Sequence, residues 1–406
     1  MKKLIPKTHF LLGLFILASA IILTGCGWTI EVKPPESTTP IVAIELSPTG
    51  IAVTATPFAT ALPVSETATQ VPTVSPPQPP AIDPSGETAV STNTVAPPPT
   101  STPISAPAFD SANPCAHIAD IPQSECEALV TFYTQLQWGN ELQTNTPCTS
   151  QSWVHFIGCE GQHITGLFFT QQGLTGAVPS EIGNLPQITA LNLPFNNLSS
   201  IPPEIGNLTN LTYLDLSNNN LTSLPPEIGN LTNLVYLNLA GNNISALPPE
   251  IENLTNLSSL NLADNNINEL PPQIGSLSEL SFLDVEANNL SNIPSEIGNL
   301  SRLESLNLGD NNLSNLPPEI GSLSNLIFLG LWHNEIVGLP EEISNLANLT
   351  ELDVRANQIS GLPENIGNLT NLRSFDLQWN QMLSLSPELC TSFQNVVLNP
   401  PDLCSP

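Results

Sequence analysis

The sequence predicts a solenoid built on a parallel sheet, capped at both ends and preceded by an extended tether. Three observations carry that reading. A 23-residue unit, typified by 231–253 (LTNLVYLNLAGNNISALPPEIEN), recurs nine times between Leu185 and Cys390, and its asparagine returns at 196, 219, 242, 265, 288, 311, 334, 357 and 380 without a slip. Three local cysteine pairs, Cys115/Cys126, Cys148/Cys159 and Cys390/Cys404, flank the repeats. Upstream, residues 33–112 are mostly proline, serine, threonine and alanine.

The first 25 residues read as a signal peptide: Lys2, Lys3 and Lys7, an apolar run from Phe10 to Leu23, then Leu23-Thr24-Gly25-Cys26. The run is short for a membrane span of about 20 residues. The Leu-Thr-Gly-Cys end resembles the lipobox of bacterial lipoproteins. That resemblance implies cleavage before Cys26, a diacylglyceryl group on its sulfur, and attachment to the outer side of a bacterial cell membrane through lipid alone. Two acyl chains suffice for stable anchoring. In such lipoproteins an aspartate after the cysteine can retain the protein at the inner membrane; here Gly27 follows.

Residues 26–112 read as lipidated cysteine plus disordered linker. Runs such as Val74–Pro80 and Ala96–Pro103 carry too little apolar surface to form a core. Eighty residues reach about 250 Å as polyproline helix and about 50 Å as random coil. Ile41–Val53 is more apolar and could form a transient strand.

The repeat has a physical reading. In Leu211-Thr-Tyr-Leu214-Asp-Leu216 the leucines alternate with polar or aromatic neighbours, the two-residue period of a half-buried strand. Asn219 sits where the chain leaves that strand, and its amide can bond backbone groups that no strand reaches. In Leu224-Pro-Pro-Glu-Ile228-Gly229-Asn the prolines impose extended backbone and Gly229 permits a tight turn, which excludes a long helix. One unit cannot bury enough to fold alone; stacked units share strand ladders, fused aliphatic columns and an asparagine ladder.

These residues resemble the leucine-rich repeats, LxxLxxLxLxxNxLxxLP with the tail PxEIGNL, from 164 to 389. The unit beginning Ile164-Thr-Gly-Leu167 is one residue longer, has Gln172 where asparagine is expected, and is similar to the 24-residue repeat of plant receptor ectodomains. The resemblance implies a right-handed α/β solenoid with a parallel concave sheet; the likeness to plant receptors stops at the ectodomain, and no kinase is expected. Residues 113–163, with Cys126-Glu-Ala-Leu and Trp138, are similar to the helical N-terminal cap of those receptors, and 390–406 form a C-terminal cap. Export and the open ends of a solenoid make disulfides expected at both caps, although four N-terminal cysteines allow three pairings.

Little chemistry is expected. Cys148, His155, Cys159 and His163 have the ligand types of a zinc site, but export, the cap resemblance and the spacing favour a disulfide with two surface histidines, so no metal is assigned. No nucleophile elbow or phosphate loop occurs. The sequence therefore predicts neither an enzyme nor a cofactor. Net charge is −29, from 36 acids against 7 basic residues, and no lysine or arginine lies between Lys33 and Arg302. Such a surface repels nucleic acid.

Specificity is expected where residues vary between the leucines. Strand alternation assigns to the concave face Phe195; Tyr213, Asp215 and Ser217; Tyr236 and Asn238; Asp264; Phe282, Asp284 and Glu286; Asp310; Phe328, Trp332 and His333; Glu351, Asp353 and Arg355; Asp376 and Trp379. Aromatic and acidic groups together suit a protein or peptide ligand, cationic or amphipathic, through charge complementarity and cation–π contact. The second reading is an adhesive envelope protein whose aromatics stack on polysaccharide.

Overall fold

The computed structural model describes residues 30–32, 45–47, 50–53, 121–136, 156–382 and 384–404 of the 406-residue chain, in two compact units, Met1–Ala108 and Phe109–Pro406. In the first unit, β1 (Ile30–Val32) pairs parallel with β3 (Gly50–Val53), which pairs antiparallel with β2 (Glu45–Ser47). β2 and β3 fall within Ile41–Val53, so part of the expected linker is strand. The expected signal peptide, residues 1–25, and Cys26 lie outside the described residues.

The second unit is the solenoid. A separate parallel pair, β6 (Thr175–Ala177) with β8 (Asn197–Ser200), accompanies its main sheet, which has twelve strands in the order β17 to β9, then β7, β5 and β4. β4 (Ile157–Glu160) runs antiparallel to β5 (His163–Phe168), and from β5 onward every neighbour is parallel: β7 (Ala190–Asn192), β9 (Tyr213–Asp215), β10 (Tyr236–Asn238), β11 (Ser259–Asn261), β12 (Phe282–Asp284), β13 (Ser305–Asn307), β14 (Phe328–Gly330), β15 (Glu351–Asp353), β16 (Ser374–Asp376) and β17 (Val397–Asn399). Register is in phase with the sequence period: Leu191, Leu214, Leu237, Leu260, Leu283, Leu306, Leu329 and Leu352 face one another strand by strand. All eight are fully buried. A one-residue slip would turn that column to solvent, so the pattern fixes the register.

Opposite the sheet, each coil turns through a short 3-10 segment, such as Pro226–Asn230, entered through a proline in extended conformation (Pro225 φ −71°, ψ 147°). Its isoleucine, Ile228, closes the core. The expectation that Gly229 permits a tight turn needs correction. Its φ is not in the left-handed region; instead a Cβ there would overlap the Glu250 carbonyl of the next coil. Close approach of coils, not turn conformation, selects the glycine.

The asparagine ladder forms as expected. Asn219 is buried, its amide donates to the carbonyls of Leu193 (3.0 Å), Leu216 (3.0 Å) and Ser217 (3.2 Å), and its Oδ1 accepts the Leu198 N–H (2.9 Å). The first coil does without: Gln172 turns its amide to its own Thr170 carbonyl, while the Gln172 and Leu174 N–H groups reach Asn196 of the next coil.

Both ends are covered. Helix α1 (Gln123–Gln135) lays Leu129, Phe132 and Tyr133 over the first coil, with Phe132 and Tyr133 against Phe169 at 5.6 and 5.7 Å between ring centroids. Buried Glu125 ties the cap down, its carboxylate accepting the Ile164 N–H (2.8 Å) and meeting His163 Nδ1 (2.6 Å). Cys126 and Cys159 are each in disulfides; Cys115, Cys148 and His155 lie outside the described residues. At the other end, helix α2 (Pro387–Ser392) and the Cys390–Cys404 disulfide bracket β17, so the C-terminal cap adds a strand to the sheet.

Candidate functional site

The exposed sheet face is a grid of columns, each fixed by its place in the coil. At the first strand position, register brings Tyr213, Tyr236, Phe282 and Phe328 into one row, with Ser259 and Ser305 between them. All four aromatics are half-buried. Tyr213 and Tyr236 stack face to face, 4.6 Å apart and within 3° of parallel. Burial raises both phenols, Tyr236 to about 12, with Asp215 adding repulsion. Each serine leaves a notch about 10 Å between flanking aromatic positions, twice the strand spacing.

The third strand position holds the predicted acids Asp215, Asp284, Asp353 and Asp376, and the structure gives them a second duty. Each Oδ1 accepts the N–H two residues on: Ser217 (2.9 Å), Glu286 (3.0 Å), Arg355 (3.1 Å) and Gln378 (3.0 Å). Asn238, Asn261 and Asn307 do the same for their own coils, so this bond needs an oxygen and not a charge, while Gly330 of β14 and Asn192 of β7 stand in the column without it. Across strands, Asn238 donates to Asp215 (3.3 Å) and Asn307 to Glu286 (3.1 Å).

Asp215, Asp284 and Asp353 are each only 8% exposed. Burial lifts Asp284 to about 6 against the pull of the Glu286 N–H, the Glu286 carboxylate adding a smaller rise, and lifts Asp353 to about 6 against the opposing pull of Arg355. Glu351 is raised by burial as well. Because the folded value of Asp284 exceeds its unfolded value, ionisation penalises the folded state at pH 7, and stability rises as pH falls from about 6 towards about 4. Asp284→Asn keeps the bond to the Glu286 N–H and removes the charge. It is expected to gain about 1 kcal/mol at pH 7.5 and little at pH 4.5, read from urea midpoints at the two pH values.

Phe195, Asp264, Asp310, His333 and Trp379, assigned above to the strand face, stand one step beyond it. Each takes left-handed backbone, φ 57°, 55°, 53°, 51° and 57°, immediately before the ladder asparagine, at the rim where the chain leaves the sheet. Asn218, Gly241, Ala287 and Ala356 occupy the same place in other coils, so the turn demands this conformation of whatever residue stands there. Phe195 and Trp379 are the most open of these aromatics, 56% and 71% exposed.

Trp332 differs from the other aromatics. It is 8% exposed, because Gly309 and Gly330 leave its ring room to lie on the sheet; a Cβ at either would overlap it. Phe328 flanks the ring at 6.4 Å, and the Arg355 guanidinium sits 5.5 Å over it while reaching Asp353 (3.4 Å) and Asp376 (3.9 Å). Trp332 is therefore a covered floor.

A feature the sequence reading missed lies at the edge where the chain enters the strands. Asn210, Asn233 and Asn256, and later Asn325, Asn348 and Asn371, each donate to a carbonyl of the preceding coil at 2.7–2.8 Å, forming a second asparagine ladder. Its signal was the repeated Asn-Leu that opens each unit. At Glu279 and Arg302 an ion pair between adjacent coils interrupts it. No cluster of three metal-ligating side chains occurs among the described residues, and no helix there is long and apolar enough to cross a membrane.

Two family models match: a leucine-rich repeat region over residues 227–316 and 275–397, and a leucine-rich repeat over 186–244, a continuous span of more than half the chain. No curated protein matches. Among solved structures, a leucine-rich repeat protein of Leptospira interrogans is 31% identical over 58% of this chain and 71% of that one, TM-score 0.43. The ectodomain of the Arabidopsis thaliana receptor kinase GASSHO1/SCHENGEN3, in complex with CASPARIAN STRIP INTEGRITY FACTOR 2, is 29% identical over 68% of this chain, TM-score 0.60. The Arabidopsis receptor kinase HAESA, with the peptide hormone IDA and a co-receptor, is 28% identical over 68%, TM-score 0.51. This chain spans 35% and 52% of those two receptor chains.

Proposed function

Because the chain belongs to the leucine-rich repeat proteins, we propose that it is a binding protein that recognises a protein or peptide ligand on its exposed sheet face. One observation carries the reading: the row of Tyr213, Tyr236, Phe282 and Phe328, half-buried at a position where coils elsewhere place alanine, serine or glutamate. The core gains nothing from them, since the leucines beneath are already fully buried. Half-exposed aromatic rings with buried neighbours are the groups that dominate recognition surfaces.

The rim supports the same reading. Left-handed backbone disfavours bulky side chains, yet Phe195, His333 and Trp379 stand there. The receptor ectodomains of similar fold are in complex with CASPARIAN STRIP INTEGRITY FACTOR 2 in one case and with the peptide hormone IDA and a co-receptor in the other. In the stacked tyrosine pair each ring covers one face of the other. That favours side chains entering the serine notches over sugars lying flat.

The chain's first residues complete the proposal. A lipid on Cys26 would hold it outside a bacterial cell membrane, with residues 27–112 lifting the solenoid from the surface. The test is a photo-crosslinking residue at Ser259, in the notch between Tyr236 and Phe282, carried by the full chain on intact cells. A discrete protein or peptide adduct is expected. Binding to glycan arrays without any protein adduct would instead favour the adhesive, polysaccharide reading.

A further inference from the structure

We propose that a second site lies off the sheet face, in the open groove along the strand-entry edge of the first coils, and that it takes a lysine- or arginine-rich segment of a partner. The groove is about 710 Å³, with Glu160 at one end and Glu279 at the other. Between them run the hydroxyls of Thr189, Thr212 and Ser258 and the amides of Asn210, Asn233 and Asn256.

The polar inventory of this lining is lopsided. Each of the three hydroxyls spends its only donor inward, on the carbonyls of Thr165 (3.1 Å), Thr189 (3.1 Å) and Val235 (3.2 Å). Each asparagine commits one N–H to the coil before it, on Pro186, Thr209 and Thr232 at 2.7–2.8 Å. What remains for a ligand is lone pairs on the hydroxyls, both lone pairs and one N–H on each asparagine amide, the Gln187 amide, the Thr165 hydroxyl and the carboxylate of Glu160. Acceptor sites outnumber donors on this surface, and its three central hydroxyls and three asparagines are held in place by their own hydrogen bonds, so a ligand need not order them.

A ligand that completes such a surface brings donors. Ammonium has three and guanidinium five, with no acceptor, whereas a sugar hydroxyl brings more lone pairs than protons. Charge points the same way. From Glu160 to Glu279 the chain carries ten acids and no lysine or arginine. Beyond the Glu279–Arg302 pair the edge changes character: the next groove, about 350 Å³, sets Arg373 against its one acid, Glu304, and adds the apolar Ile327. The cation-seeking part is thus confined to the first coils.

Titrating the full chain with a nonalysine peptide at physiological salt tests this. Saturable binding is expected, weakened about tenfold or more by Thr212→Lys, which places a like charge in the groove. Ser295→Lys, the same one-unit gain of positive charge on an exposed turn across the solenoid, is expected to leave affinity within about twofold. Equal losses in both variants would overturn the proposal, because they report the overall charge of the molecule. So would loss in Tyr213→Ala/Tyr236→Ala with retention in Thr212→Lys, which moves the peptide to the sheet face, or saturable binding of chitohexaose without nonalysine. Failure here leaves the Ser259 crosslink unaffected, so the two sites are judged separately.

Discussion

Asn265→Ala is expected to lower the stability of the solenoid by about 3 kcal/mol. The side chain is 7% exposed and lies in a middle coil. Its amide donates to the carbonyls of Leu239 (3.0 Å), Leu262 (3.0 Å) and Ala263 (3.2 Å), and its Oδ1 accepts the Ile244 N–H (3.0 Å). Alanine leaves these backbone groups buried without partners, and each such group costs about 1–3 kcal/mol. Asn265→Asp keeps the acceptor but sets a carboxylate among carbonyl oxygens; its loss is expected to match that of alanine at pH 7 and to shrink in acid, where a protonated oxygen can donate once. Asn380, only part-buried, makes the same bonds in the last coil and should cost less. Urea unfolding of the three variants checks the order.

Leu260→Ala is the second large effect, about 3 kcal/mol with a change in cooperativity. Leu260 is fully buried at the centre of β11, between Leu237 and Leu283 in the leucine column. A cavity there weakens both interfaces of one coil, and coils contact only their neighbours, so the array can part at that point. Unfolding should split into two transitions, or show a reduced denaturant slope. Leu398→Ala, on the terminal strand β17, has one interface and partial burial, and should cost about 1 kcal/mol with a single transition. Hydrogen exchange resolved by coil would place the break.

The scaffold was readable because stacking makes each coil repeat the same physical demand. Leucines and asparagines recur at positions where a fully buried column or a four-bond ladder favours those residue types, with Phe375 and Gln172 as departures. Gly229 was located correctly and explained wrongly, since the constraint comes from the coil stacked upon it, which is 21 residues away at Glu250. The acids of the sheet face were harder. Asp215 and Asn238 do the same backbone task, and nothing in the local pattern separates a charge kept for a ligand from an oxygen kept for a turn.

The rim position was also hidden. Phe195, Asn218, Gly241, Asp264, Ala287, Asp310, His333, Ala356 and Trp379 share left-handed backbone but no composition, so alternation assigned several of them to the strand. Burial of Trp332 depends on two glycines, Gly309 in the coil before it and Gly330 in its own strand, a relation across coils that no single repeat contains. The second ladder recurs with the same period as the first, but its asparagines lie on the exposed edge, where repetition is easily taken for surface polarity.

The central claim is that the scaffold and the recognition surface are carried by different residues of the same coils. It is tested most directly by replacing Tyr236, Phe282 and Phe328 with alanine together in the full chain, then measuring both the unfolding midpoint and the yield of the Ser259 photo-crosslink on intact cells. The account predicts a midpoint close to that of the parent chain and a crosslink reduced at least about tenfold. A crosslink of undiminished yield in the folded variant would contradict it.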